Sequence, residues 1–335
     1  GVVFPFGLDK KNLKILKRDG NKYPIYFDPG PPPQFLNSEN KLNEEYSWNH
    51  SFVSVWGSHL DPNDGVLWDI SPNNIGNLTL KNRAIVSPMT RTSATEEGFV
   101  TEQMADYYAE YARGGWGLIM TEGTYIDYKY SQGYTFQPGI ADDAQQESWR
   151  KVVDAVHAEG VPIFMQLFHC GAINQGNNWV DGSIAPSVVK PKGEQIPRYR
   201  GAAGGFQTPN EISREEMVEV VKSFGDATRR ASEIGFDGIE VHGANGYLPD
   251  QFLTVYTNLR NDEYGGNIEN RVRFHCEIMQ AVREAEPEKP VGVRISQTKV
   301  NDYEYVWPGG KEDAEVVFSK IAETGIDFFD CSAHL

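Results

Sequence analysis

The sequence has no apolar run approaching the roughly 18 residues that a bilayer-spanning helix needs. It therefore reads as a chain without a membrane helix. Cysteine is scarce: Cys170, Cys276 and Cys331 are widely spaced and odd in number. That excludes a zinc or iron–sulfur ligand pattern and a disulfide framework, and it points to a reducing, cytoplasmic setting. Positive charge is also short, with 31 Lys and Arg against 47 Asp and Glu, a net charge of −16. A bulk field of that sign argues against binding nucleic acid or an anionic membrane, although it leaves room for a local basic phosphate pocket. No basic-then-apolar leader opens the sequence, and a start at Gly1 leaves room for one already removed. Finally, no Gly-x-Gly-x-x-Gly follows the first strand-like segment, which ends Ser87-Pro-Met-Thr-Arg-Thr. An open dinucleotide-binding sheet would carry those glycines.

What is present falls into two textures. Residues 1–66 are dense in Asn, Lys, Asp and Pro, with an extended Pro29-Gly-Pro-Pro-Pro33 run and scattered aromatics. They read as an irregular extension draped over the main domain, with a partner-binding arm as the alternative. Phe52-Val-Ser-Val-Trp56 alternates like a short strand within it. Residues 67–335 form the second texture, in which strand and helix patterns alternate. Strands are expected at residues 83–88, 117–121, 161–167, 236–241, 290–295 and 327–331. Helices are expected at 101–113, 143–159, 213–234, 268–284 and 311–324. Ser213-Arg-Glu-Glu216 is a capping-box start, and glycines stop most of the helices.

Such alternation implies a parallel sheet with right-handed crossovers. Polar and special residues recur where the strands end: Thr90, Glu122-Gly123, Gln166, His169, His242, Asn245 and Arg294. Many strand ends serving one site is the habit of the (β/α)8 barrel. The expected fold is therefore an α/β TIM barrel, of which this sequence supplies six β/α units. The densest stretch is Phe236-Asp-Gly-Ile-Glu-Val-His242-Gly-Ala-Asn245-Gly-Tyr247. Taken alone it divides evenly between a strand-end histidine in an ordinary turn and a site. As a site, imidazole and carboxamide would donate to one oxygen and a phenol would deliver a proton. His169 and Cys170 are adjacent, so they do not form a nucleophile pair, and Cys170 reads as a small buried residue.

The ordered set of motifs from Leu67 onward resembles the old yellow enzyme family, the flavin-dependent ene-reductases. The resemblance runs through Ile75-Gly-Asn-Leu-Thr-Leu-Lys-Asn-Arg83, Ser87-Pro-Met-Thr-Arg91, Thr121-Glu-Gly123 and Gln166-Leu-Phe-His169. It continues through His242-Gly-Ala-Asn-Gly-Tyr247, Asn258-Leu-Arg-Asn-Asp-Glu-Tyr-Gly-Gly266 and Val293-Arg-Ile-Ser296. It implies FMN on the C-terminal face of the barrel and NADPH or NADH as reductant. The flavin would be lined by Pro88 and Met89, bonded by Thr90 and Gln166, approached closely at Gly123, and faced by the cation of Arg294. His242 and Asn245 would grip the carbonyl of an enone or enal, Phe168 would shape the pocket, and Tyr247 would protonate the α-carbon. A homo-oligomer is left open.

Three departures accompany the resemblance. Thr254-Val-Tyr-Thr-Asn258 stands where the family usually reads Ser- or Asp-Pro-His-Ser-Asn, and Ala172 stands where one branch often has Arg. The seventh and eighth strands, which carry the family's FMN-phosphate site, are not in this sequence, so the domain over 67–335 reads as C-terminally incomplete. The alternatives are a flavin-free or truncated barrel acting as a binding protein, and a relative of dienoyl-CoA reductases or amine dehydrogenases.

Overall fold

The computed structural model describes residues 72–196 and 204–332; before residue 72 it describes only the backbone of short strands. The proline-rich run, and most of the extension expected over 1–66, lie outside the described residues. Six parallel strands follow in chain order: β1 (Ala84–Val86), β2 (Leu118–Met120), β3 (Ile163–Phe168), β4 (Gly238–His242), β5 (Val291–Ser296) and β6 (Phe328–Ser332). Each pairs with its sequence neighbours, so the sheet grows in one direction. The strand expected around Phe52–Trp56 is present as Val53–Val55 and pairs antiparallel with β1. An antiparallel hairpin, Asn73–Ile75 with Leu78–Leu80, precedes β1.

Strand residues alternate between two layers because successive side chains point to opposite faces. Ile163, Met165 and Leu167 of β3, Ile239 and Val241 of β4, and Val291, Val293 and Ile295 of β5 join the large core beneath the helices. The opposite face is the inside of the curve. Phe164 packs there with Leu80, Ile85, Leu118, Met120 and Phe328. Two glycines make room for those rings: a Cβ on Gly238 would lie 2.6 Å from the Phe164 ring, and one on Gly292 would lie 2.6 Å from Phe328. Further along the same face stand Gln166 and Phe168, Glu240 and His242, Arg294, and Asp330. Their periodicity is that of the inward layers of a barrel.

Helices α1 (Glu102–Arg113), α2 (Asp143–Ser148), α3 (Arg150–His157) and α4 (Arg214–Ile234) cover the outer face. They are followed by α5 (Leu248–Leu253), α6 (Ile268–Arg271), α7 (Arg273–Ala285) and α8 (Gly310–Ala322). The capping box is in place: Ser213 Oγ accepts from Glu216 N–H at 3.1 Å, and Glu216 Oε2 accepts from Ser213 N–H at 2.8 Å. The helices expected over 143–159 and 268–284 each pass through one residue, Trp149 and Val272, that separates α2 from α3 and α6 from α7 while keeping right-handed helical backbone. The Trp149 indole N–H donates to the Gly139 carbonyl at 3.0 Å, and the ring stands edge-on to Phe236. A buried indole needs such a partner. Val272 is buried in the core, and its N–H donates to the Ile268 carbonyl at 3.0 Å. Helix α5 was not expected: its six residues are wholly buried, and a one-face pattern cannot reveal such a helix.

Candidate active site

The six strands end together, and the chain places the candidate residues there from four directions. Phe168 closes β3 and His242 closes β4. The Gly243–Gly246 turn then brings Tyr247 back over both. The Tyr247 and Phe168 rings stand edge to face at 4.5 Å between centroids; Tyr247 and His242 do so at 4.8 Å, and Phe168 and His242 at 5.8 Å. Gly123, after β2, lies against the same ring: a Cβ there would sit 3.0 Å from Phe168. Gln137 fixes that backbone by donating to the Gly123 carbonyl at 2.7 Å.

His242 is buried and neutral. Burial, and secondarily the Arg294 guanidinium, push its pKa well below the usual imidazole range. Ala244 N–H donates to Nδ1 at 3.4 Å. A backbone amide can only donate, so the proton resides on Nε2, and that edge is a hydrogen-bond donor.

Asn245 has a left-handed backbone, φ +61°, uncommon for a residue with a side chain. Its N–H donates to Ser296 Oγ at 2.7 Å and its carbonyl accepts from Val300 N–H at 3.1 Å. Its side-chain oxygen is buried without a hydrogen-bond partner. The carboxamide therefore has unused pairing capacity at the site.

Beneath His242 lies a polar layer. Gln166 Nε2 donates to Glu240 Oε1 at 2.7 Å. Burial and the nearby Asp330 carboxylate drive the Glu240 carboxyl far above its usual range, so it holds its proton. Arg294 pairs in register with His242 and lies 3.4 Å from Asp330, an ion-pair distance, while its Nε has no hydrogen bond. That ion pair is made through Nε, the same atom that lacks a hydrogen bond.

Pro88, Met89 and Thr90 follow β1 and are half-buried. Met89 Sδ accepts from Arg91. The loop is held by Glu122, whose Oε2 accepts from Arg91 N–H at 2.8 Å and Thr92 N–H at 3.1 Å. Thr92 has φ +53°, so this carboxylate stabilises a turn the backbone would not adopt unaided. Burial pushes Glu122 up to about 7, against the lowering by those two amides. The folded state thus binds the proton more tightly than the unfolded chain. Stability is greatest below the ordinary carboxyl range and falls as pH rises from about 4.5 to about 7. Glu122→Gln keeps an accepting oxygen, so thermal melting should lose that slope, on the order of 3 kcal/mol across the window. An unchanged slope would show that Glu122 titrates normally.

Several residues at the site were not anticipated. The Tyr134 hydroxyl lies 2.5 Å from that of Tyr247, and both rings are buried. Tyr134 comes from a Gly/Pro-rich loop with no periodic signal. Glu240 and Asp330 were legible as charges inside apolar strands, where only an inward-facing partner makes burial tolerable. Cys170 packs in one buried cluster with Tyr134, Phe168 and Tyr247, and its thiol is raised in pKa by burial and bonded to the Tyr130 and Gln132 carbonyls. Among the described residues no cluster of ligands could hold a metal.

Residues 70–334 match the NADH:flavin oxidoreductase / NADH oxidase family. The chain belongs to that family. Within it, the chain is 39% identical over 232 residues to a protein of Leishmania infantum named "Probable flavin mononucleotide-dependent alkene reductase". The match covers 68% of this chain and 63% of that protein. It is 35% identical over 266 residues to an NADH oxidase of Thermoanaerobacter brockii, covering 78% of this chain and 38% of the other. The structure superposes on the old yellow enzyme homologue of Zymomonas mobilis with a TM-score of 0.72 at 33% identity, over 78% of this chain and 72% of that one. Morphinone reductase in complex with tetrahydroNAD gives a TM-score of 0.70 at 33% identity, over 78% of this chain and 73% of that one. The fold is that of the flavin oxidoreductase TIM barrels, here with six of its strand–helix units. The chain spans 63% of the length of the Leishmania relative.

Proposed function

We propose that this flavin oxidoreductase chain takes up FMN at its strand ends and reduces the C=C bond of α,β-unsaturated carbonyl compounds, with NADPH or NADH as reductant. The observation that carries the reading is the contact of Phe168, His242 and Tyr247, in which a neutral Nε2–H donor and a phenol share one pocket.

The residues fit the flavin ring. Buried Asn245 Oδ1 and Glu240 Oε2 lack hydrogen-bond partners, the Arg294 guanidinium lies beside His242 with Asp330 as its counter-charge, and Gly123 presents bare backbone beside Phe168. Thr90, Gln166 and Arg294 would hold the pyrimidine edge, with Pro88, Met89 and Gly123 lining the ring. Bound FMN supplies a hydride drawn from the nicotinamide.

The protein's own work is polar and steric. His242 and Asn245 donate to the substrate carbonyl oxygen, which draws charge from the double bond and stabilises the negative oxygen as the β-carbon is reduced. Tyr247 then gives its proton to the α-carbon. A phenol, with an ordinary pKa near 10, is a weak acid, but the enolate carbon it serves is strongly basic. Phe168, against both His242 and Tyr247, limits what can lie between them.

The substrate is a small enone or enal. The three free cysteines agree with a reducing, cytoplasmic compartment. No described helix is long and apolar enough to cross a membrane. The test is spectral. Protein loaded with FMN should be yellow, bleach anaerobically with NADPH and regain colour with cyclohexenone. A colourless protein that takes up no added FMN would overturn the reading in favour of a flavin-free binding protein.

A further inference from the structure

A buried ion pair stands directly behind the turn that carries Asn245 and Tyr247. Lys299 Nζ lies 2.6 and 2.7 Å from the two Asp250 carboxylate oxygens. The lysine side chain is 1% exposed and the aspartate 0%. Neither residue has a part in the chemistry above. Asp250 belongs to the first turn of α5, and Lys299 to the loop after β5.

Both groups hold the turn. Asp250 Oδ2 accepts from Gly246 N–H at 2.7 Å. Lys299 bridges Asn245 in a parallel pairing, through which Val300 N–H reaches the Asn245 carbonyl. The stem of Lys299 packs against Gly246, where a Cβ would lie 3.3 Å from its own, and its ammonium lies 5.0 Å from the Tyr305 ring centre. Asn245 and Gly246 both have left-handed backbone, φ +61° and +89°. Such a conformation persists for a residue with a side chain only when its surroundings over-determine it. Taking two charges out of water is costly, and a buried pair adds little net stability over an apolar one. A pair kept there is better explained by the geometry it imposes than by stability.

We propose that Asp250 and Lys299 are positioning residues that lock this turn so that Asn245 and Tyr247 meet the substrate together. The proposal deepens the ene-reductase reading and rests on it. Misplacing a reacting group by about 1 Å can cost roughly 100-fold. The proton donor is needed when the alkene is reduced and not when the nicotinamide reduces the flavin, so the two half-reactions should separate.

The test uses the flavin-loaded full chain and the doubly neutral variant Asp250→Asn/Lys299→Met, which leaves no uncompensated charge. Alkene reduction should fall by about 10- to 100-fold, with flavin reduction by NADPH nearly unchanged and faster amide exchange across residues 243–250. A folded variant with wild-type alkene reduction overturns the proposal, as does an equal fall in both half-reactions. Wild-type exchange supplies a second arm that survives a variant failing to fold. The Gly246 and Val300 amides should be as protected as the core of β4, and exchange at surface-loop rates overturns the lock. Yellow wild-type protein that does not reduce enones would sink the functional reading while the exchange arm still reports on the ion pair.

Discussion

Tyr247→Phe should slow alkene reduction by about 100- to 10,000-fold, the range of a lost general acid, while leaving flavin reduction by NADPH nearly intact. The substitution removes one oxygen from a ring fixed by Phe168 and His242, so packing is retained. The position of the phenol is what the change destroys. Its hydroxyl is paired with that of Tyr134 at 2.5 Å, which leaves the Tyr247 oxygen one fixed place in a buried pocket. Stopped-flow measurement of the two half-reactions decides the matter. If both fall together, Tyr247 is not the proton donor and its role is structural.

Loss of either carbonyl donor should be the next largest effect. His242→Ala or Asn245→Ala removes one of two hydrogen bonds to an oxygen that becomes negative, worth about 100- to 1,000-fold in rate. The double variant should fall short of the product of the two, because both donors serve one atom. The pH profile sharpens the test. His242 is held neutral by burial and by Arg294, so its donor form persists well below the ordinary imidazole pKa. The wild-type alkene half-reaction should therefore show no inflection from this histidine between about pH 6 and 8. A rate that rises as pH falls through about 6.5 would mean that the imidazolium is the working form.

The site was legible in proportion to how local its signals are. His242, Asn245 and Tyr247 lie within six residues, so one strand end announces all three. Gln166, Phe168 and Arg294 could be named because they sit at strand ends within motifs that resemble the family's. Tyr134 could not, since it reaches Tyr247 from a loop more than a hundred residues away that has no period to read. Lys299 was hidden for a related reason. A lysine in a loop reads as solvated, and only the fold brings Asp250 to it.

By itself the sequence determined the parallel α/β order and the strand ends where polar residues gather, while its resemblance to the flavin-dependent ene-reductases named His242, Asn245 and Tyr247 as candidate donors and proton source. The order and the strand ends follow from periodicity and residue chemistry, which act over a few positions. The tertiary structure alone decided that His242 is neutral with its proton on Nε2, that burial raises the Glu122 and Glu240 carboxyls, and that a buried ion pair backs the turn. Those properties depend on exclusion of water and on charges contributed by distant strands, and neither is written in any short stretch of chain.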